Sequence, residues 1–451
     1  MTEPVHALSV SEMHLRHSQT PEARRAALIL AQAAAFREHI ASPGCVTRCA
    51  PLESLGAPTN GLLQGVALAH KDVFETGWQA PGCGRPRRHQ TPGPIATVLR
   101  RLQAHGALNL GTLAMAEHAC GATAENPHHP VLLNPLDPTA ALGGSSSGCA
   151  AAVAAGLVPV SLGTDTAGSV RMPAATCGLI GLKPTRGLLP SDGVAALAPT
   201  LDTVGLVGRD ALDTAYVYAS LLSPGSAEPD LPKHASEIEA AVSRSRHWRI
   251  ASALSADETR NDVLAATTAF EQRLRITTRL HACAAPDLER LNRLAQIVLH
   301  VEAAATLAGD VRHELATLAP STQAIALSGW AIPAIWYRYA IASIEPLRRA
   351  FLARHLAGAD LFLTPCLPQG VPDRDDVTTT SAGFQPRALA ALHRHHAYVN
   401  YLGLPALVMP IGIDARGRPI SIQALGAPGS EALLLAFAHQ FALPFSTILQ
   451  P

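Results

Sequence analysis

Apolar residues along this chain fall into two kinds of stretch. Short runs at residues 65–70, 107–110, 158–162, 249–254 and 361–364 read as buried strands, because they are rich in Val, Leu, Ile and Ala and end at glycine, charge or turn residues. Longer stretches at 21–38, 96–105, 262–280 and 287–307 carry strong helix formers with polar residues at one edge, and read as amphipathic helices. Residues 147–156 are small and apolar enough for a tightly packed helix. Strands alternating with helices argue for α/β architecture. Residues 223–232 (SPGSAEPDLP) read as a surface linker. The polar tract 372–381 either borders a substrate mouth or is simply a solvated loop. No internal repeat or low-complexity tract is evident.

Chemistry concentrates between residues 143 and 185. Ser145 follows Gly143-Gly144, and Ser169 follows Ala167-Gly168, so each hydroxyl sits where small neighbours permit close approach. A serine alcohol needs a base, and Lys71 is the candidate: it ends the apolar run 65–70, at the kind of strand end where open α/β sheets bind ligands. Each residue has a plainer reading. Ser169 can cap a helix or close a turn, Ser145 can be an N-cap, a role open also to Ser146 or Ser147, and Lys71 can pair with Asp72.

The segments Lys71-Asp72, Gly143-Gly144-Ser145-Ser146, Gly163 to Arg171 (GTDTAGSVR) and Gly181-Leu182-Lys183-Pro184-Thr185 occur in one order. In that order, and in the spacing of its two serines, the chain resembles the amidase signature family. The resemblance is dense over 61–222 and returns at 360–365 and 400–426. It implies a single α/β/α domain in which a large mixed sheet is flanked by helices, with a helical segment at 1–60, a signature core at 61–222, a variable helical insert at 223–360 and a completion of the core at 361–451. It also implies a Ser-Ser-Lys triad. Ser169 is the expected nucleophile on an amide carbonyl, Ser145 the bridge that relays its proton, and Lys71 the base, neutral because burial lowers its pKa. The peptide bond before Ser145 is expected to be cis. Backbone N–H groups of Thr166, Ala167, Gly168 and Ser169 form the expected oxyanion hole, with Asp165 and Arg171 holding that loop in place. Ala167 and Ser147 stand where glycine is common in the family. If residue 167 needs a positive φ, alanine distorts the hole.

The same resemblance admits three roles: a free-standing amidase acting through an acyl-serine, the glutamine-hydrolysing A subunit of a tRNA-dependent amidotransferase, and a catalytically inactive scaffold. Composition narrows the partners. Lys+Arg and Asp+Glu number 35 each, so no net charge draws nucleic acid or an anionic membrane. The expected partner is a small-molecule amide, and a homodimer is left open. With 48% hydrophobic but 4% aromatic residues, the core is built from Ala, Leu, Val and Ile.

No basic-then-apolar leader opens the sequence, which makes cytoplasmic residence the default expectation. Eight cysteines scattered from Cys45 to Cys366 read as reduced thiols. Cys45 and Cys49 lack the further ligands of a zinc site, and neither His128-His129 nor His393-Arg394-His395-His396 has the spacing of a metal hydrolase. No phosphate-binding loop or dinucleotide fingerprint appears, so neither metal nor cofactor is expected. Pocket walls are expected from the 120–140 and 300–400 regions. The apolar end, 441–451, is expected to pack against the protein's own body or a partner.

Overall fold

The computed structural model describes residues 8–20, 22–38, 44–55, 61–86, 90–222, 231–244, 247–254 and 259–449. Two sheets carry the architecture. The smaller has three strands in the order β1 (Val46–Cys49), β3 (Leu108–Leu113), β2 (Ala67–Lys71), with β2 and β3 parallel. The larger has eight: β4 (Val160–Asp165), β6 (Thr203–Gly208), β5 (Ile180–Lys183), β10 (Ala406–Ile413), β11 (Pro419–Leu425), β9 (Leu361–Pro365), β7 (Arg249–Ser252) and β8 (Arg279–Ala282), in that spatial order. Its pairings are antiparallel from β4 to β9 and parallel from β9 to β8. This is the mixed sheet that the α/β reading anticipates.

Strand β2 lies along β4 at the seam between the sheets. The Ser161 hydroxyl donates to the Ala69 carbonyl at 2.7 Å, and the Leu162 N–H donates to His70 Nδ1 at 3.2 Å. Packed beside the seam is the helix Ser147–Ala154, buried at all eight positions, which only very small side chains allow between two layers. Farther along, the helix Leu288–Thr306 is capped by Asp287, whose carboxylate accepts from the Arg290 N–H at 3.1 Å. It buries Leu291, Leu294, Ala295, Val298 and Leu299, the stripe of an amphipathic helix. The helices Pro320–Ala331 and Ala397–Leu402 pack on it.

The structure shifts several boundaries. The helix expected over 262–280 runs Asn261–Thr277, because the β-branched pair Thr277-Thr278 leads into β8, which pairs with β7 from Arg279 opposite Arg249. The strand expected over 158–162 is β4, which starts after Pro159 and extends through Asp165, so Asp165 is a strand residue and not a loop residue. Of the linker expected at 223–232, residues 223–230 lie outside the described residues, and Leu231 opens the helix Leu231–Ser243. The polar tract 372–381 contains a short helix, Arg374–Val377. Near the C-terminal end, Ile448 is buried against the body of the chain beside Gly178. Among the described residues no single helix is long and apolar enough to cross a membrane.

Candidate active site

Lys71 is the last residue of β2 and is fully buried. Its Nζ donates to the Ser145 hydroxyl at 2.8 Å, the Thr164 hydroxyl at 3.0 Å and the Thr164 carbonyl at 3.4 Å. Burial pushes the lysine down to about 8, against the pull of nearby acidic groups that include Asp202 and Asp165. Asp72 does not compete for it. That carboxylate turns the other way and accepts from Gln79 Nε2 at 3.0 Å and the Gly82 N–H at 3.2 Å.

Ser145 follows a cis peptide bond from Gly144. Glycine is required at 144, since a Cβ there would stand 2.2 Å from the Thr123 carbonyl oxygen. Ser146 occupies the N-cap position of the helix Ser147–Ala154, but its hydroxyl donates to the Thr164 carbonyl at 3.3 Å and makes no capping bond. The Ser147 hydroxyl is buried without a hydrogen-bond partner among the described residues. The serine found where glycine is common therefore fits sterically while leaving a polar atom unsatisfied.

Ser169 lies in the turn between β4 and the helix Arg171–Thr176. The Ser146 N–H donates to its carbonyl at 3.1 Å, which keeps the two serine segments side by side. The Ser145 hydroxyl is engaged by Lys71 and makes no hydrogen bond to the Ser169 hydroxyl in this structure. Ser169 instead faces a chamber of about 420 Å³.

The turn is held from behind by one carboxylate. Asp165 accepts from the N–H groups of Gly168 at 2.9 Å and Val170 at 3.1 Å, and from Arg171 Nη2 at 2.8 Å and Nε at 3.0 Å. Burial alone would raise the Asp165 pKa, but the Arg171 guanidinium, Lys183 and the Asn400 amide together outweigh it and hold the group well below the usual carboxylate range. Arg171 reaches on to Gln423 Oε1 at 2.6 Å and Asn400 Oδ1, and the Asn400 amide returns to the Asp165 carbonyl at 2.7 Å. Asp165 and Arg171 thus stand behind the turn and not at its open face.

One expected oxyanion donor changes. The Gly168 N–H is committed to the Asp165 carboxylate, which residue types alone did not indicate; Thr166, Ala167 and Ser169 keep N–H groups with no such tie. The positive φ of this turn, +120°, belongs to Gly168, while Ala167 is not among the described residues with positive φ. Alanine at 167 is therefore unstrained. A Cβ on Gly168 would lie 2.7 Å from His396 Cβ.

Sequence reasoning missed three participants. Thr164, inside the quoted GTDTAGSVR segment, supplies two of the three Lys71 contacts. Asp202 accepts from the Thr166 hydroxyl at 2.6 Å and the N–H groups of Leu197 and Ala198 at 2.8 and 3.0 Å. Burial raises this carboxyl to about 6 despite those bonds. His393 lines the chamber and hydrogen-bonds the Ala167 backbone. The other histidines singled out in the sequence do not converge: His128 sits on Glu117 at 2.8 Å and His396 on Cys366 at 3.4 Å. Cys45 is buried and Cys49 half-buried, both as free thiols.

The chamber walls come from residues 119–122, from the helix Pro320–Ala331 and from residues 379–393, close to the expected regions. Thr379 of the polar tract lines both this chamber and an adjoining one of about 970 Å³, so that tract contributes to the wall.

Comparisons with known proteins bear on this geometry. Residues 45–435 match the family model described as Amidase. The A subunit of the glutamyl-tRNA(Gln) amidotransferase from Psychrobacter cryohalolentis is 39% identical over 186 residues, 40% of this chain and 37% of that protein. Amidase 1 of Oryza sativa subsp. japonica is 44% identical over 163 residues, 36% of this chain and 38% of that protein. The matched segment thus spans less than two fifths of the length of either curated relative. A solved structure described as an amidase superposes with a TM-score of 0.81 at 25% identity, covering 96% of this chain and 98% of that one. The family match spans both serine turns, the lysine strand and the completing strands β10 and β11, and on that extent the chain belongs to the amidase family.

Proposed function

We propose that this protein hydrolyses a carboxylic amide C–N bond through an acyl-serine formed on Ser169. The observation that carries this reading is a fully buried lysine, lowered to about 8, hydrogen-bonded at 2.8 Å to the first serine, while the second serine opens onto a substrate-sized chamber. Neutral Lys71 accepts the Ser145 proton as Ser145 accepts the Ser169 proton, and Ser169 Oγ attacks the carbonyl carbon. A rotation of the Ser169 hydroxyl toward Ser145 completes this relay. Negative charge on the former carbonyl oxygen is met by the N–H groups of Thr166, Ala167 and Ser169, each worth on the order of 3 kcal/mol in the transition state. The relay then runs in reverse: Ser145 protonates the departing amine, the C–N bond breaks, and the acyl group stays on Ser169. Water, deprotonated through the same pair, releases the acid. Over the full cycle Ser145 and Lys71 return to their starting states, the Ser169 proton leaves on the amine and a water proton restores Ser169, so the balance closes without a cofactor.

The test is intact-mass spectrometry after treatment with a serine-directed fluorophosphonate. The expected result is one adduct that maps to Ser169, disappears in Ser169→Ala and forms far more slowly in Lys71→Ala. No adduct on the wild-type chain would sink the free-standing amidase reading. A second reading, a glutamine-hydrolysing component of a tRNA-dependent amidotransferase, is favoured by the 39% identity to such a protein over 186 residues. It predicts glutaminase activity that appears only with a partner protein. The inactive-scaffold reading is disfavoured by the burial of Lys71 against Ser145 and Thr164 with no ion pair among the described residues, a costly placement for a lysine that serves structure alone.

A further inference from the structure

We infer that the substrate of this site is a neutral carboxamide whose bulk is aliphatic or aryl carbon, and that free amino-acid amides such as glutamine are excluded. The inference rests on the Ser169 reading above and concerns what surrounds that serine. The chamber wall is predominantly apolar, with Ala122, Leu197, Leu299, Ile325, Leu389 and Ala390 among its lining residues. Among the described residues that line it, none is Asp, Glu, Lys or Arg. The polar groups present, such as the hydroxyls of Thr166 and Ser321 and the His393 ring, suit an amide and not an ion. His393 is held down by burial and turned to the Ala167 backbone, so it offers no standing cation for a carboxylate.

A zwitterion here would set an ammonium and a carboxylate against an apolar wall with no counter-charge among its lining residues, and the desolvation it suffers there is not repaid by an ion pair. Charge appears in the adjoining chamber, where Glu125, Arg374 and Asp375 join the lining residues Pro320, Ser321 and Thr379 that the two chambers share. The Ser169 chamber of about 420 Å³ is nearly three times the roughly 150 Å³ cavity that admits benzene. It therefore takes an alkyl chain of about six to eight carbons or a substituted aryl ring.

The experiment is a kcat/KM series on primary amides from acetamide to octanamide and on N-alkylacetamides, with glutamine and succinamate as charged comparators. Ser169 labelling is counted on the same preparation. The expected result is a rise of about fourfold per added methylene in at least one series, levelling as the chamber fills, with glutamine and succinamate below acetamide. In Ile325→Asp, and independently in Leu389→Ser, the ratio of the hexanamide to the acetamide value is expected to fall at least tenfold. Flat series, or glutamine above hexanamide, on a fully labelled preparation would overturn the inference and leave the triad reading standing. Absence of labelling would overturn the triad reading alone. Calorimetric titration of Ser169→Ala then decides the chamber chemistry: hexanamide bound more tightly than glutamine supports it, and the reverse order overturns it.

Discussion

The hydroxyl of Thr166 is tied to the carboxylate of Asp202 at 2.6 Å, and that carboxylate also collects the N–H groups of Leu197 and Ala198. One buried acid thus fastens the front of the Ser169 turn to the segment before β6, while Asp165 fastens its rear. Two carboxylates with opposite pKa shifts flank the same few amides.

The front tether predicts a rate effect without a large stability effect. Thr166→Val removes the hydroxyl and leaves Asp202 with its two backbone donors, so kcat is expected to fall about tenfold as the turn loosens, while unfolding free energy drops by about 1 kcal/mol. Amide turnover and urea denaturation check the pair. Asp202 itself titrates at about 6 in the folded chain, above its ordinary value of 3.8, so its contribution to stability decreases as pH rises from about 4 to about 6.

The rear tether predicts the reverse sign. Asp165 is depressed in the fold, so the stability it supplies is present above the unfolded carboxylate range and is lost as pH falls below it. Asp165→Asn leaves the Arg171 guanidinium buried without its counter-charge and is expected to cost about 3–5 kcal/mol. Chemical denaturation at pH 7 reads that loss. Equal stability of variant and parent would refute the ion pair as the anchor of the turn.

In the proposed mechanism Lys71 sets the pH dependence of catalysis. Because only its neutral form accepts a proton, kcat/KM is expected to climb about tenfold per pH unit on the acid side and level off above about 8. Lys71→Met is expected to lower kcat/KM by at least about a thousandfold. Stability moves with it. The folded pKa of about 8 lies below the ordinary value of 10.5, so Lys71 holds more proton in the unfolded chain between those values, and its own contribution to stability rises with pH across that window. The Lys71→Met chain loses that contribution and keeps the like-signed one of buried Lys183, so the parent-minus-variant difference in thermal melts between about pH 8 and 10.5 is expected to grow with pH.

Positions 167 and 168 are expected to respond unequally to substitution. Ala167→Gly, at a residue with ordinary φ, is expected to change kcat/KM by less than about threefold. Gly168→Ala places a side chain at φ +120° and 2.7 Å from His396 Cβ, and is expected to lose about 3 kcal/mol or more of stability. Comparable effects at both positions would mean that the turn does not hold the conformation described.

How much of this was legible in the sequence follows from how local each feature is. The strand that delivers Lys71 and the small-residue helix after Ser145 are visible because apolar runs and glycine turns are local signals. Asp165 and Arg171 are readable as supports because they sit beside the nucleophile turn. Asp202 is not, being 36 positions from Thr166 and carrying no mark that tells it from other acids. Likewise β8 is short and mostly exposed at the sheet edge, so its pattern gives no core signal. The commitment of the Gly168 N–H to Asp165 depends on backbone direction within one turn, which residue types alone do not encode.

The hydrogen bonds from Ser161 to Ala69 and from Leu162 to His70 join the strand that carries the lysine to the strand that leads to Ser169. The proposed base and the proposed nucleophile are therefore mounted on different sheets, and the gap between Lys71 and Ser169 is a dimension of the whole scaffold, adjusted by how the layers dock and not by the loop that bears the serine. Loops around the chamber are free to diverge toward new amides without detuning the proton relay. Conversely, a lesion at the seam, remote from any bound substrate, is felt as lost turnover with binding intact.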